Sequence, residues 1–356
     1  MATVDYRREL KDLIDIVVTE QGSDLHLSVG SHPIVRVTGS LIPLIKKPIL
    51  TDQDLEGFAK ALISDIKFKE YKDIFEVDFS YAHSDGIRFR GNGFFQSGSM
   101  AIALRLIPNK IRTLAELGLP PILESFAQRK QGFFLCVGPV GQGKTTTLAA
   151  MLEYINQNRA DHIVTIEDPI EYLYDPKQAL VDQREIGVDS VSFESALNGI
   201  FRQDVDVILV GEMRNALTIS TAVTAAETGH LVLSTLHTNS AAQTIDRIID
   251  SFPGGQQDQI RVQLAGSLAG IFSQRLVPRI SGGLVPTYEL MVNNTAVANL
   301  VREGRTHEIQ SLIETGLEHG MIDMNRSLLD LVKRGEITVE NAFSYSVNPV
   351  GLERLM

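Results

Sequence analysis

Two different patterns of hydrophobic positions divide the chain near residue 110. Before that point, short segments of alternating apolar and polar residues, typical of half-buried strands, lie beside segments with helical spacing. After about residue 120, unbroken apolar runs are bounded by glycine or polar residues and separated by helical patterns, as in parallel strands covered on both faces. The patterns therefore predict an α/β chain with two domains, 1–110 and 111–356, and a turn-like break at residues 108–110.

The elements of each domain follow from these patterns. Four apolar residues between positions 10 and 17 share one helix face, and DQDLEGFAKALI (52–63) has a second amphipathic pattern. In the first domain, strands are predicted at LHLSV (25–29), IVRVTG (34–39), GIRFRGNGFFQ (86–96) and MAIALRLIP (100–108). In the second domain, buried strands are predicted at GFFLCVG (132–138), HIVTIED (162–168), VDVILVGE (205–212) and HLVLSTLH (230–237).

Composition and charge narrow the class of protein. The 356 residues are 44% hydrophobic, enough for the cores of two globular domains, and the net charge of −11 weighs against a protein that coats nucleic acid. The one cysteine, Cys136, excludes an intramolecular disulfide framework and a four-cysteine zinc site, and its apolar surroundings predict a small buried hydrophobe. Charges in the first residues exclude a secretory leader, and no run of ~18 apolar residues is present. We therefore expect a cytoplasmic protein that contacts membranes only through partners.

The stretch GPVGQGKTTT, residues 138–147, matches the phosphate-binding pattern G-x-x-x-x-G-K-[ST] without a mismatch. A predicted strand precedes it and a helical pattern follows it, so loop N–H groups and the positive helix N-terminus can bind phosphate oxygens. Lys144 is predicted to reach the β- and γ-phosphates, and the Thr145 hydroxyl to ligate Mg²⁺. The predicted cofactors are ATP and Mg²⁺, and the predicted nucleotide-binding residues are Gly138, Pro139, Val140, Gly141, Gln142, Gly143, Lys144, Thr145 and Thr146.

Carboxylates follow two of the predicted buried strands. VILVGE ends in Glu212, preceded by Gly211 in place of the aspartate of the general pattern. Glu212 is therefore predicted to assist the metal, through water, or to position the attacking water. The second stretch, TIEDPIEY, carries Glu167, Asp168 and Glu171. One of these could act as a base toward water or hold it in line with the γ-phosphate, and a solvated acidic turn is the alternative interpretation.

The order of these stretches resembles a known family. GPVGQGKTTT, IEDPIEY, VGEMR and GHLVLSTLHTN resemble the Walker A, Asp box, Walker B and His box of the secretion-type hexameric ATPases. GSDLHL, RFRGN, REIG and NPVGLERLM narrow the resemblance to the type IV pilus retraction (twitching motility) ATPases, the PilT-like branch, over essentially the whole chain. The single cysteine cannot build the tetracysteine zinc element of pilus extension ATPases, which also favours retraction.

The resemblance implies a PAS-like α+β domain followed by a RecA-like P-loop NTPase domain with a C-terminal helical region. It implies a cytoplasmic ring of six copies, peripheral to the inner membrane, that binds ATP between the two domains. Hydrolysis of ATP to ADP and phosphate would power pilus retraction by pilin depolymerisation. The implied partners are the identical subunits, an inner-membrane platform protein and, indirectly, the pilin filament, and no nucleic acid.

The resemblance also implies roles for single residues. Glu171 falls on the catalytic glutamate, Glu212 on the Walker B glutamate, and His237 on the His-box histidine that senses the γ-phosphate. Arg90 and Arg105 fall on arginines that reach the nucleotide as arginine fingers. A core histidine satisfied by the backbone, and arginines that are simply solvated, are the alternative interpretations. The catalytic residues implied are Glu171, Glu212, Lys144, His237, Arg90 and Arg105.

Other functions stay open at this point. AVANLVRE, residues 296–303, has Ala298 where retraction motors carry an arginine, so an accessory retraction ATPase or a type II secretion-type motor is an alternative. Two further classes are a nucleotide-dependent regulator with little turnover and a nucleic-acid translocase. The acidic net charge and the lack of any Lys/Arg run weigh against the translocase.

Overall fold

The computed structural model describes residues 5–83, 86–107, 110–213 and 215–356. Contacts divide the chain into two compact units. The first unit comprises the residues up to Lys110 together with Pro169–Leu173, and the second comprises Ile111–Asp168 and Tyr174–Met356. The predicted break at 108–110 falls largely on Pro108 and Asn109, which lie outside the described residues.

The first unit is built from helices and strands that its sequence specifies locally. Its described elements are α1 (Tyr6–Thr19), β1 (Asp24–Ser28), β2 (Ile34–Val37), β3 (Ser40–Pro43), α2 (Asp52–Leu62), α3 (Asp65–Ile74), β4 (Glu76–Ala82), β5 (Arg88–Gln96) and β6 (Ser99–Ile107). Thr51 and Asp54 begin α2 with a capping box, in which each side chain accepts a hydrogen bond from the other residue's backbone N–H. The two predicted helices and four predicted strands of this part of the chain are confirmed.

These strands form one antiparallel sheet in the order β3-β2-β1-β6-β5-β4. The apolar residues of α1, among them Leu10 and Val17, are buried in the same cluster as Leu25 and Leu27 of β1. The sequence does not predict β3 or β4, the two strands at the edges of the sheet. All four residues of β3 are exposed, so the strand lacks the apolar side that reveals β1. The unit has the α+β class that the sequence implies.

Besides two 3₁₀ helices, Thr306–Glu308 and Leu317–His319, the second unit carries the remaining described α-helices and strands. They are α4 (Ile122–Ala127), β7 (Gly132–Val137), α5 (Lys144–Asn158), β8 (His162–Glu167), β9 (Leu180–Glu185), α6 (Phe193–Ile200), β10 (Val207–Val210), α7 (Ala216–Glu227), β11 (Leu231–Leu236), α8 (Ala241–Asp250), α9 (Gly254–Ser267), β12 (Leu268–Pro278), β13 (Leu284–Val292), α10 (Thr295–Arg302), α11 (Ile309–Thr315), α12 (Met324–Lys333), α13 (Val339–Tyr345) and α14 (Pro349–Leu355). In the described ranges, no helix is both long and apolar enough to cross a bilayer.

The sheet of the second unit has the order β13-β12-β7-β11-β10-β8-β9, and every neighbouring pair is parallel except β12 and β13. The four predicted strands β7, β11, β10 and β8 are adjacent, and nearly every residue in them is buried. This burial matches parallel strands covered on both faces. The RecA-like α/β class implied for this part of the chain is confirmed. The sequence does not predict β9, β12 or β13.

The reactivity of the Cys136 thiol tests whether the sheet of the second unit is closed to solvent. It lies in β7 with no exposed surface, and burial raises the pKa of its thiol to about 12. Because the thiolate is the reactive form, we expect a maleimide at about pH 8 to leave the native protein unlabelled and to label it fully in denaturant. Intact-protein mass spectrometry measures both reactions. Native labelling at the rate of an exposed thiol would show that Cys136 is not enclosed.

Candidate functional site

The predicted phosphate loop joins β7 to α5 in the second unit. Gly138, Gly141 and Gly143 have φ angles of +144°, +77° and +77°, a region that side chains disfavour. Gly143 is the N-cap of α5, and having no side chain it leaves the first helical N–H groups to an anion. The loop therefore takes a backbone conformation that favours glycine at the positions where the motif has it, and phosphate binding by this loop stays a prediction.

Lys144 begins α5, and its side chain folds back over the loop. Its Nζ donates to the carbonyl oxygens of Gly138 and Pro139 at 2.9 and 2.8 Å, and lies 3.4 Å from Nδ1 of His237. Only 7% of Lys144 is exposed, so these groups hold the ammonium in place of water. The structure thus brings together two predicted site residues that are 93 positions apart in sequence.

The predicted residues of the second unit follow adjacent strands. The order β7-β11-β10-β8 places the phosphate loop, His237 and Glu212 beyond the carboxyl ends of the first three strands and Glu167 at the carboxyl end of β8. Ligands of open α/β sheets bind in the crevice outside the carboxyl ends of the strands. This edge of the second unit is therefore the candidate functional site.

The end of β8 is packed tightly against the end of β10. Glu167 is only 4% exposed, and its carboxylate accepts a 2.7 Å hydrogen bond from the Thr165 hydroxyl. The N–H of Gly211 donates to the carbonyl of Ile166 at 2.8 Å, and a Cβ at position 211 would lie 3.5 Å from Cα of Glu167. A solvated acidic turn is therefore wrong for Glu167, although Asp168 beside it is exposed.

Three of the predicted residues lie in the first unit. Glu171 is half-buried in Pro169–Leu173, the segment that groups with that unit. Arg90 and Arg105 are directly opposite each other across β5 and β6, so their side chains share one face of the sheet. The predicted roles of these three residues stay predictions.

Asp24 lies opposite both Arg36 and Arg105 on the neighbouring strands, and the sequence analysis did not predict it as a site residue. Nε of Arg105 donates to Oδ1 of Asp24 at 2.8 Å, and Nε of Arg36 lies 3.8 Å from the other oxygen. Burial alone would raise the pKa of Asp24, but hydrogen bonds from Ser23 and Arg105 lower it overall. The Arg105 side chain is nevertheless 74% exposed. Two arginines, Arg36 and Arg105, meet one carboxylate here, so positive charge remains for an anion.

The loop that carries His237 is fixed by two strands that the sequence does not predict. The Ser273 hydroxyl of β12 donates to the carbonyl of Asn239 at 2.9 Å, and the N–H of Ala241 donates to Oε1 of Glu289 in β13 at 2.9 Å. Glu289 is 2% exposed, and burial raises the pKa of its carboxyl. A single acidic residue inside the apolar run PTYELMV is the sequence signal that could have identified it.

A cavity of about 440 Å³ lies beside the phosphate loop in the second unit. Its walls include Gly143 and Thr147 on one side and Leu276, Arg279 and Pro286 on the other. Cavities of roughly 300–1,000 Å³ hold small molecules and cofactors, and a mixture of apolar and charged walls suits a nucleoside. The cavity thus adjoins the last glycine of the phosphate loop and the first turn of α5.

The donor set fits a magnesium ion that is held together with phosphate. In the part of the chain that the structure describes, no group of three or more His, Cys, Asp or Glu side chains could hold a metal ion. The predicted ligands Thr145 and Glu212 are oxygen donors, which Mg²⁺ prefers, and Mg²⁺ commonly adds water and substrate phosphates to one or two protein ligands. The residues present therefore fit a nucleotide-bound Mg²⁺ and not an all-protein metal site.

The RecA-like sheet and the phosphate loop together define a P-loop nucleotide-binding protein. The family profile described as Type II/IV secretion system protein matches residues 6–342. The type IV pilus retraction ATPase PilT of Pseudomonas aeruginosa is 41% identical over 334 residues, which cover 94% of this chain and 97% of that protein. The chain therefore belongs to the Type II/IV secretion system protein family, and the resemblance to its pilus retraction branch is confirmed.

Two further comparisons agree. The type IV pilus ATPase PilU of Pseudomonas aeruginosa is 38% identical over 339 residues, covering 95% of this chain and 88% of that protein. The crystal structure of the pilus retraction motor PilT with bound ADP superposes with a TM-score of 0.89 at 45% identity, covering 96% of this chain and 98% of the other. The whole fold, and not only the P-loop region, is therefore shared with PilT.

Two glycines of the loop offer a matched pair of substitutions. A Cβ at Gly138 would lie 2.3 Å from the carbonyl oxygen of Gln274, whereas a Cβ at Gly141 would meet nothing within 4 Å. Gly141→Ala should lower the free energy of unfolding by about 1–2 kcal/mol through backbone strain alone. Gly138→Ala should lower it by roughly 2–5 kcal/mol, because overpacking adds about 1–3 kcal/mol to the strain. Urea denaturation measures both, and equal losses would contradict the close approach to β12.

Glu289 makes stability depend on pH. Its pKa is raised in the folded state, so the folded chain holds its proton to higher pH than the unfolded chain, and stability falls as pH rises between the two values. Glu289→Gln keeps an acceptor oxygen for Ala241 without the charge. We expect urea denaturation at a series of pH values to show a smaller fall in stability for this variant than for the unchanged protein. The control is Glu318→Gln, the same change at an exposed position. If stability depends on pH identically in the unchanged protein, Glu289→Gln and Glu318→Gln, Glu289 does not cause the dependence.

Proposed function

We propose that this chain is an ATP-hydrolysing ring motor that powers type IV pilus retraction by pilin depolymerisation. The observation that carries the proposal is the joint placement of the phosphate loop, His237 and Glu212 beyond adjacent strands. Its support from relatives is the 41% identity to a pilus retraction ATPase over nearly the whole chain. The ADP bound to the 45% identical PilT supports a nucleotide ligand.

In this proposal the phosphates of ATP occupy the loop at residues 138–146, and the nucleoside occupies the cavity of about 440 Å³. The ammonium of Lys144 exchanges the carbonyls of Gly138 and Pro139 for the β- and γ-phosphate oxygens. Thr145 and Glu212 would hold Mg²⁺, which neutralises charge on the phosphates when it is bound. The backbone N–H groups at the start of α5 bind the remaining oxygens.

Hydrolysis needs an oriented water and a stabilised leaving phosphate. Glu171 holds the water in line and accepts its proton, while the water oxygen bonds to the γ-phosphorus and the bond to the bridging oxygen of ADP breaks. Arg90 and Arg105 stabilise the charge on the transferring phosphoryl group, as permanently charged planar groups can. His237 contacts Lys144, so it is placed to respond when the γ-phosphate is lost.

We further propose that six copies assemble into a ring at the cytoplasmic side of the pilus base. The partners would be an inner-membrane platform protein and, through it, the pilin filament. Hydrolysis removes γ-phosphate contacts, and loss of such contacts can drive a rotation of rigid bodies. The net charge of −11 supports a protein partner over a nucleic acid.

An accessory retraction motor is a second candidate, and Ala298 favours it. This residue is 6% exposed and packs in the core of the second unit, where the retraction motif carries an arginine. The two candidates share the chemistry of the site and differ only in whether the motor acts alone.

The first test is Mg²⁺-dependent ATPase turnover per chain across a wide range of protein concentration. We expect turnover that rises with concentration and then levels off, because ring assembly completes the site. Lys144→Ala and Glu171→Gln should each abolish turnover, and the exposed Gln157→Met serves as the folded control. A nucleotide-dependent regulator predicts instead that Glu171→Gln leaves function intact. Turnover that stays constant down to dilutions at which the protein is monomeric would contradict the ring mechanism.

Complementation separates the main motor from the accessory one. In cells that lack their own retraction ATPase, expression of this chain alone should restore twitching if it is a main retraction motor. Restoration only in cells that retain a resident PilT and lack their own accessory motor would identify an accessory motor. Failure in both strains, with ATPase activity present, would exclude pilus retraction and favour a secretion-type motor.

A further inference from the structure

Strand β12 extends beyond the strand it pairs with. β7 ends at Val137, which pairs with Ser273, whereas β12 continues to Pro278. The phosphate loop, which follows β7, lies along this extension of β12. The backbone N–H groups along this extension need hydrogen-bond acceptors, and the phosphate loop can supply them.

Two glutamines join the loop to the extension. Nε2 of Gln274 donates to the carbonyl oxygen of Gln142 in the loop at 2.7 Å. In the opposite direction, the backbone N–H of Leu276 donates to Oε1 of Gln142, also at 2.7 Å. Gln142 is thus bound to β12 through both its backbone and its side chain.

The other end of the Gln274 amide binds the helix that follows the loop. Its Oε1 accepts a 2.6 Å hydrogen bond from the hydroxyl of Thr147, in the first turn of α5. Gln274 is 2% exposed and Thr147 is 1% exposed, so water cannot replace these bonds readily. One buried amide therefore ties together β12, the phosphate loop and the start of α5.

The glycines of the motif permit this arrangement. A Cβ at Gly138 would lie 2.3 Å from the backbone oxygen of Gln274, and a Cβ at Gly143 would lie 2.9 Å from its Nε2. Both distances are shorter than van der Waals contact, so any side chain at either position would push the loop away from Gln274. Two glycines that the phosphate pattern requires are thus also the ones that let Gln274 reach the loop.

We propose that Gln274 is a positioning residue that holds the phosphate loop in its nucleotide-binding conformation before the nucleotide arrives. The inference rests on the proposed function, because its consequence is nucleotide affinity. A loop that is already ordered loses little conformational entropy when phosphate binds, so the affinity is higher. Gln274 acts on the loop backbone, which carries the carbonyls that hold Lys144 and the N–H groups that meet phosphate. Because Gln274 also lines the cavity assigned to the nucleoside, loop exchange measured without nucleotide is the readout that separates ordering of the loop from direct contact with the ligand.

The test uses the full-length protein and two measurements. Hydrogen–deuterium exchange of peptides spanning residues 138–147, without nucleotide, reports loop order, and calorimetric titration with ADP reports the Kd. Gln274→Met removes donor and acceptor at nearly constant volume. The control is Gln157→Met, the same change at an exposed position of α5, where the amide donates to Oε1 of Glu153 at 2.7 Å.

Gln274→Met should raise the exchange rate of the loop amides about tenfold, since it removes two hydrogen bonds of a buried amide. For the same reason, the Kd for ADP should also rise about tenfold. ATPase kinetics should show a raised KM with kcat little changed, because ordering of the loop affects the bound ground state and the transition state alike. Gln157→Met should leave exchange, Kd and KM unchanged.

A second pair of variants keeps the proposal testable if Gln274→Met does not fold. Thr147→Val removes the hydroxyl that donates to the Gln274 amide. The exchange rate of the loop and the Kd for ADP should both rise, by a smaller factor than in Gln274→Met. Thr147→Ser retains the hydroxyl and should restore them.

Unchanged loop exchange and unchanged Kd in a folded Gln274→Met protein would overturn the proposal. So would a lower melting temperature with exchange raised equally across the whole second unit, since that marks a structural role only. If the unchanged protein fails to bind ADP, the proposed function is lost. The exchange experiment without nucleotide still decides whether Gln274 orders the loop.

Discussion

The parallel order of four buried strands is the constraint on which the candidate site depends. Parallel strands all end at the same edge of a sheet, so the segments that follow β7, β11, β10 and β8 meet there although the sequence separates them widely. Apolar runs bury these strands on both faces, which leaves the polar segments beyond their ends as the places where charged groups can remain hydrated or bind a ligand. The core and the site are thus two consequences of one arrangement.

Contacts within the chain organise the site of the second unit. The Lys144 ammonium is nearly buried, and a buried cation without partners would be costly, so two loop carbonyls and His237 surround it. Gln274 fixes the loop that supplies those carbonyls, and Glu289 fixes the segment that carries His237. Strands β12 and β13 therefore support both loops, although neither strand contributes a residue to the phosphate motif.

The first unit follows a different rule. Its sheet is antiparallel, so directly opposed residues on neighbouring strands share a face, and this brings Arg90 beside Arg105. Asp24 accepts a hydrogen bond from Arg105 and lies 3.8 Å from Arg36, and its low pKa keeps the negative charge that offsets part of the repulsion between these two arginines. An exposed positive charge held by sheet geometry is what stabilisation of a transferring phosphoryl group requires, as the function proposed for this chain supposes.

Local patterns in the sequence determined a large part of this protein. The phosphate loop, its flanking strand and helix, and the four central strands all follow from the spacing of apolar residues and glycines within short windows. The edge strands β3 and β9 were not predicted, because exposed or polar strands lack an apolar pattern. Only the tertiary structure decided the partners of Gln274, Glu289 and Asp24. Their hydrogen bonds with Gln142, Ala241 and Arg105 span 132, 48 and 81 positions, and no local pattern encodes which distant segment will lie beside a given strand.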